Sequence, residues 1–214
     1  MLKRLLILLA SLLAVTACQA ADGGATEWKA GTHYFPIDPP QAPAAGGKIE
    51  VVEVFSYACP HCAHFQPFAD ELKAKLPKQA QFTYLPAIFH DSWELFARAY
   101  YTAEAMGVLD KAHQALFDAL HRDRKPLGRL EDIAQFLAGL GVDPKAFLST
   151  AQSFVVNAKL QRSQDLLRAY GIDGTPSIVI NGKYRVTAAS AGGLAQMVDL
   201  SLWLVKRELA ASGK

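Results

Sequence analysis

The sequence predicts an α/β fold: a mixed central sheet flanked by helices, with an inserted all-helical domain. Three observations carry this reading. Residues 48–57 are apolar and β-branched, and they run straight into Cys59-Pro60-His61-Cys62 and a helical pattern. Residues 91–170 contain helix starts, stops and periodicity but no strand signal. The sheet pattern resumes only at Gly174-Thr175-Pro176-Ser177-Ile178-Val179-Ile180, where Asn181-Gly182 marks a two-residue hairpin.

With 214 residues the chain has room for one domain, or for a domain with a sizeable insertion. A hydrophobic fraction of 51% and 10% aromatics mark it as globular. The chain carries 22 Lys+Arg against 20 Asp+Glu. Two of those bases, Lys3 and Arg4, fall in a leader without acids, which leaves 20 against 20 in the rest. A balanced surface argues against a nucleic acid or an anionic membrane recruited by charge.

Residues 1–20 read as an export signal: Lys3 and Arg4 at the charged start, an apolar middle over 5–14, then small residues. That apolar run is short for a membrane span. Leu13-Ala14-Val15-Thr16-Ala17-Cys18 resembles a bacterial lipoprotein signal, with Cys18 as the lipidation site and Val15 in place of the usual leucine. Ordinary cleavage nearby, for instance after Ala20, is the alternative. Residues 21–47, rich in Gly, Ala and Pro, read as a flexible arm, with a short edge strand over 32–35.

Residues 48–90 form the first part of the sheet domain, 91–170 the helical insertion, and 171–214 the second part. After the first strand, residues 59–76 read as a helix with Phe65, Phe68, Ala69 and Leu72 toward the core and a bend at Pro67. Lys73, Lys75 and Lys78 read as a solvated face. Residues 82–85 read as the second strand. In the insertion, helices are expected over 91–106 (capped by Asp91 or Ser92), 109–122, 130–140, from Asp143-Pro144, and over 155–170. A returning strand over 184–186 and an amphipathic helix over 194–209, with Met197 in the core, close the chain.

Glu53 interrupts the first strand. A carboxylate inside a buried strand is costly unless it has a partner or a task. It is either a solvent-facing edge residue or a buried acid that relays protons near the dithiol, its pKa raised by burial. One Cys-x-x-Cys pair in a chain this long is not a disulfide framework and points to chemistry. Cys59 at a helix start meets the positive end of the helix dipole and free backbone N–H groups, which favour its thiolate. A protonated His61 would add positive charge. A favoured thiolate stabilises the reduced pair and makes the disulfide oxidising. His33, His113 and His121 read as solvated, and His64 as a surface residue.

Taken together, Glu53-Val54-Phe55-Ser56-Tyr57-Ala58-Cys59-Pro60-His61-Cys62, Gly174-Thr175-Pro176, Phe154-Val155-Val156 and Val179-Ile180-Asn181-Gly182-Lys183-Tyr184 resemble the thioredoxin superfamily, most closely its DsbA family of bacterial periplasmic thiol:disulfide oxidants. The resemblance covers roughly residues 48–210. It implies a thioredoxin fold and an oxidoreductase with a redox-active disulfide between Cys59 and Cys62. Cys59 would be the exposed nucleophile and Cys62 its buried partner, with Pro60 and His61 tuning the couple. Glu53 would be the buried acid. Pro176 would be a cis-proline lying against the disulfide, with the Thr175 backbone pairing to an extended substrate. The implied partners are reduced, unfolded exported polypeptides and a DsbB-like membrane quinone reductase. The protein would be a periplasmic monomer without cofactor, with a lipid anchor only if Cys18 is modified. Ala58 and Thr175 depart from the best-known relatives. Two alternatives stand beside this: a reductase or isomerase of the same superfamily, and a zinc-binding module using Cys59, Cys62 and histidines such as His61, His64 or His90.

Overall fold

In this computed structural model, residues 27–43 and 46–213 are described. The leader expected over 1–20, Cys18 included, lies outside the described residues, as do the first residues of the arm. Five strands form one mixed sheet in the order β1-β5-β4-β2-β3. They are β1 (Phe35–Pro36), β2 (Ile49–Phe55), β3 (Ala80–Pro86), β4 (Ser177–Ile180) and β5 (Tyr184–Thr187). Only β2 and β3 run parallel, and α1 (Pro60–Lys75) makes the crossover that a parallel pair requires. All seven residues of β2 are buried, as its unbroken apolar run demands of a strand covered on both faces.

Alternation along β2 splits the core. Val51 faces Ile178 and Ile180, with Phe65, Ala69 and Leu72 of α1 and Met197, Leu200 and Leu204 of α8 (Leu194–Ala211) packed over them. Val52, Val54 and Val179 point the other way, onto Leu167 and Tyr170 of α6 (Phe154–Tyr170). At the end of β2, Phe55, Tyr57, Cys59 and Cys62 join a third cluster with Tyr100, Leu116, Phe117 and Phe147 of the insertion. The dithiol therefore sits at the seam between sheet domain and helical insertion.

The insertion comprises α2 (Asp91–Ala105), α3 (Leu109–Phe117), a π-helical turn (Asp118–Arg122), α4 (Leu130–Ala138), α5 (Pro144–Ala151) and α6. Asp143 caps α5 by accepting from Ala146 N at 2.7 Å, and Ser153 caps α6 by accepting from Val156 N at 3.3 Å. His90 stands at the cap position of α2, so Asp91 and Ser92 lie inside its first turn. The helix expected over 109–122 instead changes winding at Asp118. α1 runs on through Pro67, and a short α7 (Ala188–Ala191) precedes α8.

The segment read as a flexible arm is, over 27–43, docked on the sheet edge. Tyr34 and Ile37 are buried. The edge strand falls at Phe35–Pro36, slightly later than expected, and pairs with β5. Ile37 N donates to Lys183 O at 2.8 Å and Gln41 N to Gly182 O at 2.9 Å. A Cβ at Gly182 would lie 2.1 Å from Gln41 O, so the hairpin turn and this segment fit only with glycine there. Asn181 and Gly182 both have positive φ (52° and 65°), as the Asn-Gly signal requires.

Candidate active site

Cys59 is the N-cap residue of α1 (φ −88°, ψ 115°), and its carbonyl accepts from Cys62 N at 3.1 Å and Ala63 N at 3.2 Å. Pro60 occupies the first helical position, where its missing N–H costs no hydrogen bond. Next to Cys59 lies the loop carrying Thr175 and Pro176, joined by a cis peptide bond. The thiols are unbridged, and the Cys59 thiol donates to Thr175 O at 3.5 Å. Cys59 retains 5% exposure and Cys62 none. The expected exposed nucleophile is thus nearly covered, because the Thr175 loop lies against its sulfur.

The two thiols are driven apart electrostatically. The Cys59 thiol is pulled from 9.0 down to about 5. The largest cause is a hydrogen bond from the Cys62 side chain. Burial opposes it, and the Thr175 side chain and the backbone N–H groups of Cys62 and His61 add to it. Burial, then the Cys59 side chain, pushes Cys62 far above the ordinary thiol range. One sulfur is set up as a stable thiolate and the other as a reluctant one. His61 contributes through its backbone N–H; its imidazole is exposed and is not among the groups that lower Cys59.

Glu53 is fully buried on the face of β2 that meets α1. Burial pushes its carboxyl up to about 8, with the Lys73 charge and a hydrogen bond from Gln66 pulling the other way. Gln66 Nε2 lies 3.3 Å from Glu53 Oε1 and 3.2 Å from the Cys62 carbonyl, so one amide joins the acid to the buried cysteine. Among the described residues Glu53 Oε2 has no hydrogen-bond partner. Tyr84 pairs with Glu53 across β2 and β3. Lys73, expected on a solvated face, lies 4.8 Å from the Tyr84 ring centroid and 5.1 Å from that of Phe82, and bonds the Tyr84 hydroxyl. A cavity of about 370 Å³ opens here, lined by Gln66, Lys73, Tyr84 and His113 among others. Gln66 and Lys73 were missed by sequence reasoning; Gln66 follows Cys62 by one helical turn, which was the available signal.

Two histidines expected in solvent face the dithiol turn instead. His113 is buried, its Nδ1 shares a 2.9 Å hydrogen bond with the Tyr57 hydroxyl, and burial pushes it down to about 3. His121 Nε2 lies 2.7 Å from the Tyr57 carbonyl. His113 falls on the buried stripe of α3 with Ala112, Leu116 and Phe117, a phase that the sequence shows. His61 and His64 line an open groove of about 510 Å³ whose other walls include Thr175, Pro176, Ala188 and Leu194. Among the described residues no three His, Cys, Asp or Glu side chains gather closely enough to hold a metal. Nor is any helix among them long and apolar enough to cross a membrane.

Comparison with known proteins matches this architecture. A family profile described as a DSBA-like thioredoxin domain fits residues 69–199. The chain is 38% identical over 208 residues to thiol:disulfide interchange protein DsbA of Pseudomonas aeruginosa, covering 97% of this chain and 99% of that one. It is 40% identical over 205 residues to the Azotobacter vinelandii protein of the same name, with 96% of each chain covered. The crystal structure of Pseudomonas aeruginosa DsbA superposes with a TM-score of 0.83 at 41% identity, covering 87% of this chain and 97% of that one. For oxidoreductase DsbA from Xylella fastidiosa the values are 0.78 and 36%, covering 83% and 96%. Likeness at this level covers nearly the whole length of the chain, and the chain belongs to the DsbA family of thiol:disulfide oxidoreductases.

Proposed function

We propose that the protein works as an oxidant, passing the Cys59–Cys62 disulfide to reduced, unfolded exported polypeptides. The observation that supports this direction is the Cys59 thiol drawn down to about 5. Whatever stabilises that thiolate stabilises the reduced couple and so raises its appetite for electrons. In the cycle, a substrate thiolate attacks Cys59 Sγ, the S–S bond breaks, and Cys62 leaves as a thiolate. Cys62 holds protons strongly, and Glu53, whose carboxyl burial pushes up to about 8 and which the Gln66 amide links to the Cys62 carbonyl, is the acid assigned to supply one. A second substrate thiolate then attacks the substrate sulfur of the mixed disulfide. The substrate leaves with its disulfide, and Cys59 is released as a thiolate carrying the electron pair. The groove beside Thr175 and Pro176 takes the substrate as an extended strand, through backbone contacts that ask little of its sequence.

Reoxidation is assigned to a DsbB-like membrane quinone reductase that receives the two electrons. The leader over 1–20 carries the chain to the periplasm, and Cys18 is the residue to which a lipid would be attached. Loss of acyl labelling in a Cys18→Ala variant tests that last point; labelling that persists contradicts it. The direction is tested by mixing the oxidised protein with a reduced, unfolded disulfide protein. The expected result is stoichiometric transfer of the disulfide. Rapid insulin reduction without such transfer would make the protein a reductase.

A further inference from the structure

We propose that His121 is a positioning residue for the redox couple: the π turn of the insertion aims its ring N–H at the Tyr57 carbonyl and so fixes the backbone that presents Cys59. The insertion then helps to set the chemistry of the dithiol besides covering it.

In an α-helix, steps of four residues overshoot a full turn by about 40°, so a run of 113, 117 and 121 would drift around the axis. The wider turn at Asp118–Arg122, closed by Asp123 N donating to Asp118 O at 2.9 Å, takes that drift back. The rings of His113, Phe117 and His121 consequently follow one another, with centroid separations of 5.3 Å and 6.2 Å. All of this column turns toward Tyr57. His113 meets its hydroxyl, Phe117 its ring at 5.0 Å, and His121 its carbonyl at 2.7 Å. A carbonyl only accepts, so His121 Nε2 is the donor.

Tyr57 lies two residues before Cys59, in the turn that joins β2 to α1. The peptide between Tyr57 and Ala58 is held at both edges: its carbonyl by His121, and its N–H by Ser56 Oγ at 3.2 Å. Cys59 N then donates to Ser56 O at 3.0 Å. This chain of bonds sets the direction in which the Cys59 side chain leaves the backbone. Its sulfur must reach the N–H groups of His61 and Cys62 and the Thr175 loop together, and a small rotation of the preceding peptide spoils that convergence. π-helical turns occur often at functional sites, and here the extra winding has a specific product, the hydrogen bond to Tyr57.

The inference rests on Cys59 being the stabilised thiolate of the proposed oxidant. The test compares His121→Leu, which fills space without donating, with His121→Gln, whose amide can donate at similar reach. The readouts are Cys59 titration by thiolate absorbance, the redox equilibrium with glutathione, and the melting temperature. His121→Leu is expected to raise the Cys59 pKa and to shift the equilibrium roughly threefold to tenfold toward the oxidised protein, the scale of one hydrogen bond. His121→Gln is expected to restore most of both. Should the leucine variant not fold, His121→Asn, too short to reach Tyr57, replaces it with the same expectation. A lower melting temperature with unchanged thiol titration and redox equilibrium overturns the inference alone, as does a glutamine variant no better than leucine. A wild-type Cys59 that titrates near the ordinary thiol value overturns the oxidant reading and this inference with it.

Discussion

Raising the pH should stabilise the reduced protein relative to the oxidised one, and Cys59 sets the slope. Its thiol ionises near 5 when folded and reduced, against 9.0 for an unperturbed thiol. A depressed pKa adds stability that is complete above the unfolded value and is lost as pH falls through the folded one. Between those limits the reduced protein gains about 1.4 kcal/mol per pH unit. At pH 7 the gain is about 2.7 kcal/mol, a ceiling because solvent near the sulfur screens part of it. Against this stands the disulfide, which closes a loop of four residues, Cys59 to Cys62. Chain entropy credits the oxidised form with about 1.9 kcal/mol for that loop at any pH. The two forms should therefore cross in stability near pH 6.4, about 1.4 units above the folded pKa. Guanidinium unfolding of both forms across this range gives the difference directly. A difference that does not change with pH would refute the claim that a stabilised thiolate drives the couple.

Three further outcomes follow from the same contacts. Replacing Glu53 by Gln should stabilise the protein increasingly between pH 4.5 and about 8, because a carboxyl whose pKa is raised to about 8 loses stability as pH climbs through that window. At pH 7 the gain approaches about 3 kcal/mol, and unfolding that shows a pH-independent change contradicts a buried, protonated Glu53. Thr175→Val removes one of the hydrogen bonds that hold the Cys59 thiolate, so thiol titration should move up by about half to one unit; an unchanged value takes Thr175 out of the account. Lys73→Met removes the charge that most opposes the upward push on Glu53, so the carboxyl, followed by infrared titration, should ionise at higher pH than in the wild type. A fall would show that Lys73 does not face it.

What the sequence showed clearly was whatever depends on short-range signals. Cys59-Pro60-His61-Cys62 after an apolar run, the Asn181-Gly182 turn, and the Asp143-Pro144 helix start are local patterns, and each lies where chain geometry puts it. Glu53 stood out because a charge amid β-branched residues needs an explanation, and it is buried. What stayed hidden depends on residues far apart in the chain. His113 and His121 contact Tyr57 only once the insertion folds back over β2. Lys73 looked like its solvated neighbour Lys75, and what distinguishes it is the pair of rings that β3 places beneath it. Residues 28–41 have the composition of a tether, and that composition hides two anchors: Tyr34, which meets Tyr184 of β5 and Trp203 and Arg207 of α8, and Ile37, which packs in the cluster of Val52, Val179 and Leu167. The sequence over 109–122 reads simply as one helix, and the change of winding at Asp118 shows only in the fold.

The central claim is that the anion of Cys59 is favoured enough to make its disulfide a strong oxidant. The redox equilibrium of the Cys59–Cys62 pair in graded glutathione buffers measures this most directly. The account predicts a pair that is reduced by small amounts of reduced glutathione and stays oxidised only where glutathione disulfide is in large excess. A pair that remains bridged in strongly reducing buffer, as structural disulfides below about −300 mV do, would contradict it.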